Sequence, residues 1–210
     1  MKLKAFSFTE ILILIFTIVV IAAVLFPLNL IDRNQAQKIA TWKSFYPQLE
    51  YSFDLMLKDD NSLIQTYKTD SKINGTEFFK EFLNYANFEE ILKERKFLKY
   101  KHRYINGKRI SKDSKYHADE FVKLKNGMIL AFSEIDRTDD ISLPIGYLFV
   151  DLDGKHSKNL IGKDVFAIKM YIDRLEPFGE DLSIQEMKED CSPVGSGLSC
   201  ASYYLVGGSF

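Results

Sequence analysis

Lys4-Ala5-Phe6-Ser7-Phe8-Thr9-Glu10 opens the stretch whose reading decides the fold. Behind it, no residue from Ile11 to Leu28 is charged, and the apolar run reaches Ile31 with Thr17 and Asn29 as its polar interruptions. A helix spans a bilayer with about 20 apolar residues, so the run is expected to be long enough. Lys2 and Lys4 precede it, and Asp32 and Arg33 follow as a balanced pair. The positive-inside bias then places the N-terminus in the cytoplasm and the bulk of the chain outside.

Glu10 separates the readings of this segment. A secretory signal cut after Ala22 is one, since Val20-Ile21-Ala22 offers small or aliphatic residues at the right places. A plain uncleaved anchor is another, and it leads to a single-pass receptor or binding protein that never polymerises. A carboxylate within an apolar helix costs about 2.5–3.5 kcal/mol on insertion scales, so it usually has a job or a partner. Neither of those readings gives it one.

The motif resembles the N-terminus of type IV prepilins. In that family a short basic leader ends in a small residue, a Phe or other apolar residue follows the cut, and a Glu lies four positions beyond it. Ala5, Phe6 and Glu10 fill those places, with Ala5 standing where Gly is commoner and Phe8-Thr9 where Leu-Ile is usual. The resemblance implies cleavage between Ala5 and Phe6 by prepilin peptidase, and N-methylation of Phe6. It also implies an inner-membrane, single-pass protein that an assembly ATPase and platform protein polymerise with other pilin-like subunits. Glu10 of one subunit would neutralise the Phe6 ammonium of its neighbour, because a paired charge is far less costly in an apolar medium. Type IV pilus, DNA-uptake pilus and type II secretion pseudopilus remain open as the filament.

Beyond Ile31 the apolar residues Ala36, Ile39, Trp42, Phe45, Leu49, Phe53, Met56 and Leu57 recur mostly at three- and four-residue steps. One helix is therefore expected to run through to about Leu57 and to end at Asp59-Asp60-Asn61. Pro27 and Pro47 are its two candidate kinks. The expected organisation is a leader over 1–5, a transmembrane or filament-core half of the helix over 6–31, an amphipathic half over 32–60 and a head over 61–210. The fold class is α+β, with the long helix packed on an antiparallel sheet of about four strands.

Within the head, Phe78, Phe79, Phe82, Leu83, Tyr85, Phe88, Ile91 and Leu92 suit one or two short amphipathic helices. The Lys- and Arg-rich stretch 99–117 reads as a solvated hairpin or loop, since acidic residues flank it. Strands are expected over 121–125, 128–135, 145–152 and 165–172, with Asn126-Gly127 as a hairpin turn and 201–206 as an edge segment. Asp151-Leu152-Asp153-Gly154, Asn159 and Gly162-Lys163-Asp164-Val165-Phe166 resemble the end of many bacterial pilin-like heads.

Asp151, Asp153, Asn159 and Asp164 are candidate Ca²⁺ ligands by resemblance to the major pseudopilins, although their spacing does not fit an EF-hand. A turn held by Asx hydrogen bonds is the alternative. Cys191 and Cys200 are expected to form a disulfide if the head lies in an oxidising compartment. A metal or redox pair is disfavoured by the absence of a Cys-x-x-Cys spacing or a nearby His.

The 210 residues are 46% hydrophobic and 27% charged, with 11 Tyr and 17 Phe, the content of a folded protein with a substantial core. Net charge is −1, or −3 once a cut leader takes Lys2 and Lys4 away, and nucleic-acid binding is not expected outside a DNA-uptake pilus. His102, His117 and His156 are scattered, and no nucleophile elbow, P-loop or dinucleotide fingerprint is present. No enzymatic activity is expected.

Overall fold

The computed structural model describes residues 8–59, 64, 75–86, 101–118, 120–135, 140–154 and 159–209, with the backbone alone over 22–33 and 75–76. The leader positions Ala5 and Phe6, together with His156, lie outside the described residues. Helix α1 spans Phe8–Lys58. No glycine interrupts it, and it continues through Pro27 and Pro47. The chain divides into two compact units, Met1–Lys38 and Ile39–Phe210, and each is described by itself.

In the first unit, every described side chain over 8–21 is exposed. Among the described residues no helix is long and apolar enough to cross a membrane. The expected transmembrane half and the single-pass inner-membrane localisation are corrected accordingly.

The second unit holds a five-stranded antiparallel sheet in the order β2-β3-β4-β6-β7: β2 Glu120–Lys123, β3 Ile129–Phe132, β4 Gly146–Asp151, β6 Val165–Met170 and β7 Leu175–Pro177. Asn126-Gly127 makes the β2–β3 turn. Gly127 adopts φ +91° and donates its N–H to the Leu124 carbonyl at 2.9 Å, a backbone that favours glycine. Strands β3 and β4 are buried at every position, and β6 at all but Lys169. Lys169 faces Glu176 across β6–β7 and binds it at 2.7 Å, tying on the edge strand. A second, parallel pair joins β1 His102–Arg103, inside the stretch 99–117 expected to be a solvated hairpin or loop, to β5 Asn159–Leu160.

The expected fold class is corrected on two points. The sheet has five strands rather than about four, because Leu175-Glu176-Pro177 adds an edge that Pro177 disguises in the sequence; proline is tolerated only at such sheet margins. No long helix packs on the sheet either: only the part of α1 over 39–58 belongs to the sheet's unit. There Trp42, Phe45, Leu49, Phe53 and Met56 are buried, at steps of three and four residues. Trp42 stacks on Phe166 of β6 with ring centroids 4.8 Å apart.

Helix α2, Gly75–Tyr85, adds Phe78, Phe79, Phe82 and Leu83 to the same core. Phe82 meets Phe53 edge-on, and Phe79 stacks on Phe132. Each such side chain contributes about 1.5–3 kcal/mol by leaving water. Two short helices close the chain, α3 Ile184–Asp190 and α4 Cys200–Leu205. The segment expected to be an edge strand over 201–206 is thus mostly helix α4.

Candidate functional site

Three places hold the residues to which the sequence pointed. Glu10 sits in the first turn of α1, where a carboxylate complements the positive end of the helix dipole, worth about 0.3–1 kcal/mol. Around it, Phe8, Ile11, Leu12, Ile13, Leu14, Ile15 and Phe16 are all exposed. Thr17 turns its hydroxyl back to the Leu14 carbonyl at 2.8 Å, which hides the polar group against the helix. The result is a helical stretch apolar on all sides, with one carboxylate near its start.

The second place is the turn after β4. Asp151 is fully buried, and its Oδ1 accepts from the Gly154 N–H at 2.9 Å and the Asp153 N–H at 3.2 Å. This is an Asx-type turn. Gly154 has φ +57°, and a Cβ there would lie 1.7 Å from the Gly127 carbonyl oxygen, so the two turns are packed back to back. Asp164 accepts the Leu160 N–H at 3.3 Å, and its own carbonyl accepts from Leu152 at 3.0 Å.

Asp151 Oδ2 and Asn159 Nδ2 are buried without a hydrogen-bond partner. Burial, reinforced by the Asp153 and Asp164 carboxylates, pushes the Asp151 carboxyl up to about 7. Of the four calcium candidates, Asp151 and Asp164 each spend a carboxylate oxygen on backbone N–H groups. Among the described residues no group of three His, Cys, Asp or Glu side chains could hold a metal ion.

The third place is the C-terminal end. Cys191 and Cys200 form a disulfide, closing the loop between α3 and α4. Helix α3 begins with a capping box: Ser183 accepts the Glu186 N–H, and Glu186 accepts the Ser183 N–H at 2.8 Å. At its far end Asp190 organises the loop, accepting from the Ser196 N–H at 2.8 Å, the Ser196 hydroxyl at 2.6 Å and the Ser199 N–H at 2.8 Å. Those bonds hold the Asp190 carboxyl below its ordinary range despite burial, which acts the other way and is the largest single influence. From the basic stretch, Ile105 donates its N–H to the Ser196 carbonyl at 2.9 Å, and the Asn106 amide donates to the Gly195 carbonyl at 2.6 Å.

Asp190 and Tyr204 are the residues of this end that the sequence did not single out, and Trp42 was read there only as part of a helical face. Ser183-x-x-Glu186 was a readable capping signal, and an Asp beside a Cys ahead of a Ser/Gly loop is a readable anchor. Nothing local marks Trp42 as a partner of Ala201, or Tyr204 as a neighbour of Cys191. Of the histidines, His102 is buried against Phe149, with Nε2 3.1 Å from the Tyr116 carbonyl. Burial lowers it to about 4, so it is neutral at ordinary pH.

No protein-family model, curated protein or solved structure matches the chain.

Proposed function

We propose that the chain is a structural subunit of a filament of the type IV pilus or type II secretion pseudopilus kind, assembling through its N-terminal helix. One observation carries the reading: over 8–21 the helix exposes apolar side chains on every face, interrupted by Thr9, Glu10 and the self-satisfied Thr17. Exposed apolar surface of this extent marks an interaction site. A carboxylate near the start of such a helix suits pairing with the amine of a neighbouring subunit, which would also fix the axial register.

In this reading Ala5-Phe6 is cut by prepilin peptidase, Phe6 is N-methylated, and other pilin-like subunits, an assembly ATPase and a platform protein are the partners. The role is structural rather than catalytic. The test is Glu10→Ala, scored by electron microscopy of filaments and by cross-linking between copies. Assembly is expected to be lost while the second unit keeps its fold. Unchanged assembly would sink the reading, because a helix-dipole role for Glu10 within one chain leaves assembly intact.

A further inference from the structure

We propose that the Cys191–Cys200 disulfide is an oxidation-dependent latch that seats Trp42, and with it the helix segment 39–58, on the sheet. The contacts form a closed circuit. The Trp42 indole N–H donates to the Ala201 carbonyl at 2.9 Å, next in sequence to Cys200. Its ring stacks on Phe166, which meets Tyr204 edge-on at 5.9 Å. The Tyr204 hydroxyl lies 3.2 Å from Cys191 Sγ and 3.3 Å from the Gly162 carbonyl oxygen. The acceptor of Trp42, Ala201, and the ring that backs its stacking partner Phe166, Tyr204, are thus both carried by α4, and α4 begins at Cys200.

The site leaves no room for two thiols. Two unbonded sulfurs must sit at van der Waals contact, well beyond a covalent bond, so reduction pushes them apart. Cys200 is fully buried, and a Cβ at Gly162 would lie 2.5 Å from its Sγ, so the backbone of Gly162 is pressed against the sulfur. Tyr204 crowds Cys191 from the other side. The Asp190 bonds tie Ser196 and Ser199, the residue ahead of Cys200, to the end of α3 independently of the disulfide. Separation is therefore taken up beyond Ser199, within α4, and moving α4 withdraws the Ala201 carbonyl from Trp42 and the Tyr204 ring from Phe166.

The redox step is an ordinary exchange. A thiolate of an external dithiol attacks Sγ of Cys191, the less buried of the two residues, and the Cys191–Cys200 bond breaks. Cys200 leaves as a thiolate and takes a proton. The second thiol of the reductant then displaces Cys191 as a thiol, and the dithiol becomes a disulfide. Two electrons and two protons have moved to the protein.

The inference does not depend on whether the chain assembles. Trp42 is the one tryptophan in the sequence, so its emission reports the latch directly. The full chain, oxidised and then reduced with dithiothreitol, is compared by acrylamide quenching of Trp42 fluorescence and by amide exchange of β4 and β6; Cys191→Ser/Cys200→Ser serves as a permanently open form. Quenching is expected to rise several-fold in both open forms while β4 and β6 stay protected. If Trp42 stays as shielded as before, the latch is refuted. If β4 and β6 lose protection together with Trp42, the bond is a general staple of the domain, and the latch is equally refuted.

Discussion

The indole N–H of Trp42 donates to the carbonyl of Ala201 at 2.9 Å, joining α1 to the last helix across 159 positions of sequence. This bond and the Phe166 stack together fix where the segment 39–58 meets the sheet.

Trp42→Phe keeps an aromatic ring on Phe166 but removes the donor. The loss is expected to cost about 1–3 kcal/mol, the range for leaving a buried polar group without its partner. Trp42→Ala also opens a cavity and is expected to cost about 3–5 kcal/mol. Urea unfolding followed by far-ultraviolet circular dichroism measures both. Equal costs for the two variants would show that the hydrogen bond contributes little.

Gly154→Ala tests the back-to-back turns. Its Cβ would collide with the Gly127 carbonyl oxygen, so the backbone itself must move; the expected cost is about 3 kcal/mol or more. Gly107→Ala is the control. Gly107 also has a positive φ, but a Cβ there meets nothing within 4 Å, and only the conformational cost of about 1–2 kcal/mol is expected. Thermal unfolding of the two variants should separate them clearly.

The Asp151 carboxyl, raised by burial to about 7 from an ordinary 3.8, makes stability depend on pH. The unfolded chain releases this proton near 3.8, whereas the folded chain keeps it until about 7. Its contribution is therefore fully present below 3.8, declines as pH rises, and levels off above about 7. His102, lowered to about 4, acts oppositely: its neutral folded form loses stability as pH falls from 6.5 towards 4. Asp151→Asn keeps the acceptor oxygen of the turn and removes the titration. The stability difference between Asp151→Asn and the parent is expected to grow in favour of the variant from pH 4 to 7, and then to stay constant. A difference independent of pH would show that Asp151 is not held protonated.

Local periodicity made several elements readable. The three- and four-residue steps of Trp42, Phe45, Leu49, Phe53 and Met56 marked a buried helical face, and Asn126-Gly127 marked the β2–β3 hairpin. Helix α4 was misread because Cys200, Ala201, Ser202, Tyr203 and Tyr204 are all buried, so the segment has no amphipathic period to betray it. Strand β7 was missed because Pro177 reads as a breaker. Asp151-Leu152-Asp153-Gly154 has the composition of both a cation loop and an Asx turn, and only the inward direction of Asp151 decides for the turn. The contacts of Trp42 with Ala201 and Phe166 are long-range, and no local pattern encodes them. At the assembly end, Glu10 and the apolar run were legible as residue types, whereas among the described residues no helix is long and apolar enough for the expected membrane span.

The mature N-terminus tests the prepilin-type filament reading most directly. Intact-mass and N-terminal peptide mass spectrometry of the chain from its native host is expected to show Met1 to Ala5 removed and a methyl group on the amine of Phe6. A chain that retains Met1, or one that begins at Ala23, would contradict it.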